Sequence, residues 1–314
     1  MVHGWPSLWS TWSNQILEFQ DKYHIVAPDL RGFGASTHPG DVQSSGTMGD
    51  LVGDLVCILE HAEVKSAVCV GHDWGAQVCH SAARMRPDIF TAVAGLVLPY
   101  IPSAGPFIPI AKLVPMFPKL AYNLYFEANT SVAIAELDQN IRRSVRGVLR
   151  TVDSPPPVAF LKSNESFLEA WSEVDPASAI TGDYMRLINK DFRSHLYRSS
   201  PLKRKIISWN NTPFRVSKTN KYISWEFGHS QQNNTIPQPA LSILPLNDPV
   251  ADWVGAARVL HTADYFANLK TVTVAGAHWM HLENAVEVNK ALREWLDEYD
   301  SQIKGGVTRP VDEL

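Results

Sequence analysis

Short apolar or β-branched runs alternate with helix-period segments at both ends of the chain. Tyr23 to Pro28, Ser66 to Val70, Val93 to Leu98, Ala240 to Leu244 and Thr271 to Val274 are of strand length and stop where loop residues begin, the pattern of strands buried on both faces. Between them, Thr47 to Ala62 carries Leu51, Leu55 and Ile58/Leu59 on one helical face, and Ala76 to Arg86 is a helix closed by Pro87. Leu282 to Tyr299 is a long amphipathic helix. Strands alternating with helices predict an α/β protein with a mainly parallel sheet flanked by helices.

From about Ile101 to Pro239 the alternation stops. Pro, Trp, Tyr and Phe punctuate helical pieces such as Leu113–Phe126 and Ser131–Leu149, and residues 203–235 are polar and aperiodic, which predicts a loop. The expected organisation is one sheet domain in two parts, 1–100 and 240–314, with a helical cap, 101–239, inserted between them.

Composition narrows the partners. The 28 basic and 32 acidic side chains give a net charge of −4 with no basic block, so a nucleic-acid partner is not expected, because such binding draws on clustered Lys and Arg. Cys57, Cys69 and Cys79 form no CxxC pair and lie in apolar stretches; three free thiols in a reducing compartment are expected. No run reaches membrane-spanning length, and Met1 is not followed by a basic and apolar leader. A cytoplasmic location is therefore expected. Val311-Asp312-Glu313-Leu314 is similar to an ER-retention tetrapeptide, which acts only on chains that enter the secretory route.

Gly71-His72-Asp73-Trp74-Gly75-Ala76 follows a predicted strand and opens a predicted helix. That context makes a nucleophile elbow, a sharp turn with glycines two positions to either side of the exposed residue. A serine commonly holds the centre; here it is Asp73, whose carboxylate can attack an electrophilic carbon and form an ester. Freeing that ester takes a base and a group to orient it. His278, in Ala275-Gly276-Ala277-His278-Trp279, and Asp248, in Leu246-Asn247-Asp248-Pro249-Val250, each follow a strand, and the order nucleophile, acid, histidine suits such a sheet. His281 is nearby and reads as a cap or surface residue at the start of the next helix. His3-Gly4-Trp5-Pro6 supplies a further loop, so the backbone N–H groups of Trp5 and Trp74 are the oxyanion-hole candidates. His3 and His72 read as structural. No His, Cys and carboxylate set has metal-ligand spacing, so neither metal nor cofactor is expected.

These residues together resemble the epoxide hydrolases of the α/β-hydrolase superfamily. The matching pieces are His3-Gly4-Trp5-Pro6, Asp29-Leu30-Arg31-Gly32-Phe33-Gly34-Ala35-Ser36, Gly71-His72-Asp73-Trp74-Gly75, Asp248 and Gly276-Ala277-His278-Trp279. The resemblance implies hydrolysis of an epoxide to a vicinal diol through an Asp73 ester, with epoxide and water as the small-molecule partners and a homodimer as an open alternative. Within Tyr122-Asn123-Leu124-Tyr125-Phe126, it implies that Tyr122 hydrogen-bonds the epoxide oxygen, with Asn123 and Phe126 in the substrate site. A second cap tyrosine is usual in the family; the corresponding stretch here is Thr212-Pro213-Phe214-Arg215, so Phe214 is carried as a substrate-binding residue and Tyr222 as a displaced substitute.

Family members also begin with further strands, whereas Met1 and Val2 alone precede His3, so the chain is expected to be N-terminally truncated. Loss of the strand beside that of the nucleophile would open a backbone edge unless another segment fills it. Two rival readings stand beside the main one. A dehalogenase would share the aspartate elbow, although haloalkane enzymes tend to carry Asn in place of Trp5 and haloacetate enzymes Arg in place of Trp74. A non-catalytic member would simply bind small apolar molecules under the cap.

Overall fold

The computed structural model describes residues 1–38, 45–167, 170 and 218–306. Among them, four strands lie side by side: β1 (Ala67–His72), β2 (Phe90–Leu96), β3 (Ile236–Pro245) and β4 (Phe266–Val274), in the order β1-β2-β3-β4. Every neighbouring pair is parallel. Side chains alternate between the two faces: Ala92 and Ala94 join the apolar cluster of Trp12, Phe19, Leu292 and Trp295, while Val93 between them joins Leu51, Leu55, Val78 and Ala82. One face is thus covered by α1 (Ser13–Phe19) and the C-terminal helix, the other by α2 (Met48–His61) and α3 (Trp74–Met85). This two-sided cover explains why the strands read as apolar runs.

Thr47 closes the N-terminus of α2 with a capping box: its hydroxyl accepts from Asp50 N, and the Asp50 carboxylate accepts from Thr47 N. The predicted helix at Leu113–Phe126 is instead broken into α4 (Ile110–Leu113), a 3-10 turn at Pro118–Leu120 and α5 (Tyr122–Ala128). Pro115 and Pro118 lack the N–H that a continuous helix needs. Ser131–Leu149 divides likewise into α6 (Thr130–Asp138) and α7 (Ile141–Val148), where the Asn140 side chain accepts from Arg143 N and starts a new helix. A short α8 (Val158–Lys162) follows. These pieces bury Tyr125, Phe126, Ile134, Leu137, Phe160 and Phe167 together and pack on Trp5, Leu8 and Val250.

Several expectations are corrected. Residues 218–230 form a helix, α9 (Lys218–Ser230), where a loop was expected. Its Trp225 and Tyr222 rings pack on Phe107, with centroids 5.8 and 5.4 Å away, so a contact distant in sequence supports the helix. β3 begins at Ile236 and crosses the expected 239/240 boundary; its register shifts between Ile236 and Pro239, the irregularity that Pro237 and Pro239 demand. The predicted C-terminal helix is split at Asn284 into α11 (Met280–Glu283) and α12 (Ala285–Gly306), after α10 (Trp253–Val259). Tyr23 to Pro28 is not a strand. The place beside β1 is taken by the chain start: Val2 N donates to Val70 O at 2.7 Å, and His72 N donates to Val2 O at 3.0 Å. Val2 thereby fills the edge beside the nucleophile's strand at the level of the elbow.

The cysteines differ too. Cys69 on β1 and Cys79 on α3 are joined in a disulfide across the elbow, and Cys57 alone is free. Cysteine usage therefore no longer argues for a reducing compartment. No helix of the described residues is long and apolar enough to cross a membrane.

Candidate active site

β1 ends at His72 and α3 begins at Trp74, leaving Asp73 in the turn at φ 55°, ψ −126°. Such a backbone costs on the order of 1–3 kcal/mol for a residue with a Cβ. It is held by Asp73 N, which donates to Leu96 O at 3.1 Å, and by Asp73 O, which accepts from Ala76 N at 2.9 Å. The flanking glycines are required sterically: a Cβ at Gly71 would stand 2.2 Å from Gly75 O, and one at Gly75 2.2 Å from Val2 O. Gly4 lets the His3–Pro6 loop cross directly over the nucleophile, since a Cβ there would lie 2.6 Å from Asp73 Cβ.

The two carboxylate oxygens of Asp73 have different surroundings. Oδ1 accepts from Trp5 N at 3.0 Å, and the Trp74 N–H also bonds the carboxylate. Oδ2 lies 3.3 Å from His278 Nε2. On its far side, His278 Nδ1 donates to Asp248 Oδ2 at 2.8 Å. The Asp248 side chain is fully buried, and its carboxylate also accepts from Val250 N at 2.8 Å and Trp253 Nε1 at 2.6 Å. Three donors hold an anion out of water and fix its direction toward the imidazole. Trp253 was not singled out from the sequence; a tryptophan five residues past an Asp-Pro turn reads equally well as packing.

Electrostatics follow from this geometry. Burial pulls the His278 pKa down, but the Asp248 and Asp73 carboxylates outweigh it and raise it to about 10. Burial pushes Asp73 up, and the hydrogen bond and charge of His278 more than reverse that, leaving it below the ordinary carboxylate range. The resting pair is an imidazolium facing a carboxylate. His72 is held neutral, lowered to about 4 mainly by burial, and its Nε2 donates to His278 O at 2.8 Å. His3 is also buried: its Nε2 accepts from Leu30 N at 3.0 Å and its Nδ1 donates to Gly4 O at 2.9 Å. His281, expected at a cap or surface, is instead fully buried, 4.2 Å from the His72 ring by centroids, with Nε2 2.7 Å from Thr11 Oγ1.

Tyr122 opens α5 and is half-buried, stacked on Phe160 with centroids 5.5 Å apart. Burial raises its phenol well above the ordinary range, the Asp73 charge adds to this, the Asn123 amide opposes it, and Asp248 adds a smaller push. The phenol thus stays protonated within the field of both carboxylates. Asn123 is turned inward: Nδ2 donates to Leu120 O at 3.2 Å and Oδ1 accepts from Lys221 Nζ at 3.3 Å. Phe126 is buried edge-on against Trp5 at 5.4 Å. Tyr222 is exposed and donates to Glu226 at 3.3 Å. Phe214 lies outside the described residues. No group of three or more His, Cys, Asp and Glu among the described residues could hold a metal ion.

Comparison with known proteins agrees with the architecture. Bifunctional epoxide hydrolase 2 of Sus scrofa is 27% identical over 305 residues, covering 95% of this chain and 51% of that protein. The chain thus spans about half the length of that relative. Epoxide hydrolase A of Mycobacterium tuberculosis is 29% identical over 312 residues, 94% of this chain and 89% of that protein. The crystal structure of epoxide hydrolase A from Mycobacterium thermoresistibile superposes with a TM-score of 0.73 at 27% identity, covering 94% and 89% of the two chains. A Vigna radiata epoxide hydrolase mutant superposes at 0.75 with 22% identity over 95% and 91%, a likeness of fold. The family profile described as alpha/beta hydrolase fold matches residues 1–285, and the chain belongs to that family.

Proposed function

We propose that this chain is an epoxide hydrolase in which the region 101–235, between β2 and β3, is a cap over the sheet's carboxyl edge and Asp73 is the nucleophile. The observation that carries this reading is a charged, strained aspartate with an imidazole–carboxylate pair behind it and a protonated phenol, Tyr122, in its field. The names of the relatives point the same way.

Asp73 Oδ2 attacks one ring carbon while the Tyr122 phenol gives its proton to the departing ring oxygen. Asp73 then carries no charge, so one of the two carboxylates that raised His278 is gone and its pKa falls. The proton that His278 sheds restores the Tyr122 phenol. Neutral His278, oriented by Asp248, takes a proton from water, which attacks the ester carbonyl. The anion that develops on Oδ1 meets the Trp5 N–H already directed at that oxygen, with the Trp74 N–H, which also bonds the resting carboxylate, as the second donor. Collapse releases the diol with the proton from His278, and the second water proton returns to the imidazole as Asp73 recovers its charge. Asn123 braces the start of α5 and Phe126 walls the site beside Trp5; Phe214 remains a substrate-contact proposal. A cytoplasmic location and a homodimer are carried as proposals, checked by cell fractionation and light scattering.

A panel of aryl, alkyl and fatty epoxides assayed for diol, beside haloalkanes assayed for halide, tests the reaction class. Diol from at least one epoxide is expected; halide release with no diol from any epoxide would overturn the reading. Tyr122→Phe is expected to slow ring opening by about 10²-fold, the worth of a positioned general acid. The ester, once formed, should decay at the wild-type rate, so single-turnover quenching separates the two steps.

A further inference from the structure

The loop that carries His278 is tied at every residue. Asn284 Nδ2 donates to Ala275 O at 2.9 Å, Asn247 N donates to Gly276 O at 3.1 Å, and His72 Nε2 donates to His278 O at 2.8 Å. These partners lie in the sheet domain. The fourth differs. Glu283 Oε2 accepts from Ala277 N at 2.9 Å, directly before the histidine, while Oε1 accepts from Val152 N at 2.8 Å. Val152 lies just past α7, in the cap, 131 residues away in sequence. An apolar seam coincides with this bridge: Leu149 and Val145 from the cap pack with Trp279 and Leu282 from the histidine loop and α11.

We propose that Glu283 is a positioning residue for ester hydrolysis, holding the His278 loop in register with the cap. This rests on His278 being the base. A carboxylate suits the place because both groups facing it are N–H donors and it offers acceptors alone. Glutamine keeps the size but must turn an NH2 toward one of the two donors. Attack by Asp73 on the ring needs no base, whereas attack by water does, so a loosened loop affects the second step selectively. Displacement of a catalytic group by a fraction of an ångström is enough for about a tenfold loss.

Rapid quenching with intact-mass detection on the whole chain, with melting temperatures measured in parallel, reads both steps in wild type, Glu283→Gln and Val152→Pro, which removes the cap-side N–H. The expected result is ester formation within about twofold of wild type, ester decay about tenfold slower in either variant, and little further loss in the double variant. The pH profile of decay should fall in amplitude without loss of its histidine limb. If one variant does not fold, the other carries the test. A lower melting temperature with both steps unchanged would reduce Glu283 to a structural staple and overturn the proposal, as would equal slowing of both steps. Failure of the parent reading is distinct, because wild type itself would then form no ester.

Discussion

Asp73→Ala is expected to lower turnover by on the order of 10⁴-fold or more, the scale seen when a covalent nucleophile is removed. The loss should be one of chemistry rather than fold, because the backbone bonds that hold the turn, Asp73 N to Leu96 O and Ala76 N to Asp73 O, involve no side chain. Removing the carboxylate also takes away one of the two charges that raise His278, so its pKa should fall from about 10. Intact mass after epoxide treatment checks the first claim: wild type should gain the mass of one epoxide and the variant none. An adduct on Asp73→Ala would place the nucleophile elsewhere. NMR titration of the His278 ring checks the second.

His278→Gln should separate the two halves of the reaction. Ester formation needs an ionised Asp73 and the Tyr122 proton. The substitution leaves the phenol in place but removes the His278 charge that offsets the burial of Asp73, so the Asp73 pKa rises and ester formation is read at alkaline pH, where the carboxylate is ionised. Ester hydrolysis loses its base, so diol release should fall by about 10³–10⁴-fold while about one equivalent of epoxide per chain is consumed. Acidification should reproduce this in wild type. The resting histidine is protonated at neutral pH because its pKa is raised to about 10. In the ester one carboxylate is lost and that pKa drops, so hydrolysis requires the neutral form and slows as pH falls. Ester formation has no such requirement, since Asp73 is held below the ordinary carboxylate range and stays ionised. The ester should therefore build up at mildly acidic pH. If diol release and ester formation fall together as pH is lowered, His278 is not the base.

How much of this could be read beforehand depends on whether the cause was local. The elbow was legible because Gly71 and Gly75 are forced by contacts within a few residues and with the chain start. Asp248 and His278 were legible from their order along the chain and their places after strands. The strands Ser66–Val70 and Val93–Leu98 were found because two-sided burial leaves an apolar run. The errors arose where distant packing decides the outcome. α9 mixes Tyr222, Ile223, Trp225 and Phe227 with polar residues and is supported by Phe107, more than a hundred residues upstream. His281 looked like a helix start but is sealed by Trp12, His72 and Thr11, which no local pattern reveals. Tyr23–Pro28 has strand composition, yet the place beside β1 is occupied by Val2. The Cys69–Cys79 bond depends on a strand and a helix meeting side by side, which spacing in sequence does not announce. The bridge that Glu283 makes between Ala277 and Val152 is of the same kind: in the sequence Glu283 reads as an ordinary surface carboxylate.

Oxygen tracing tests the central claim most directly. In a single turnover with excess protein in water labelled with oxygen-18, the diol should leave with the unlabelled Oδ2 of Asp73, and peptide mapping should find the heavy isotope in that aspartate. A labelled diol from the first turnover, with Asp73 unlabelled, would mean that water attacks the epoxide directly and would contradict the ester route.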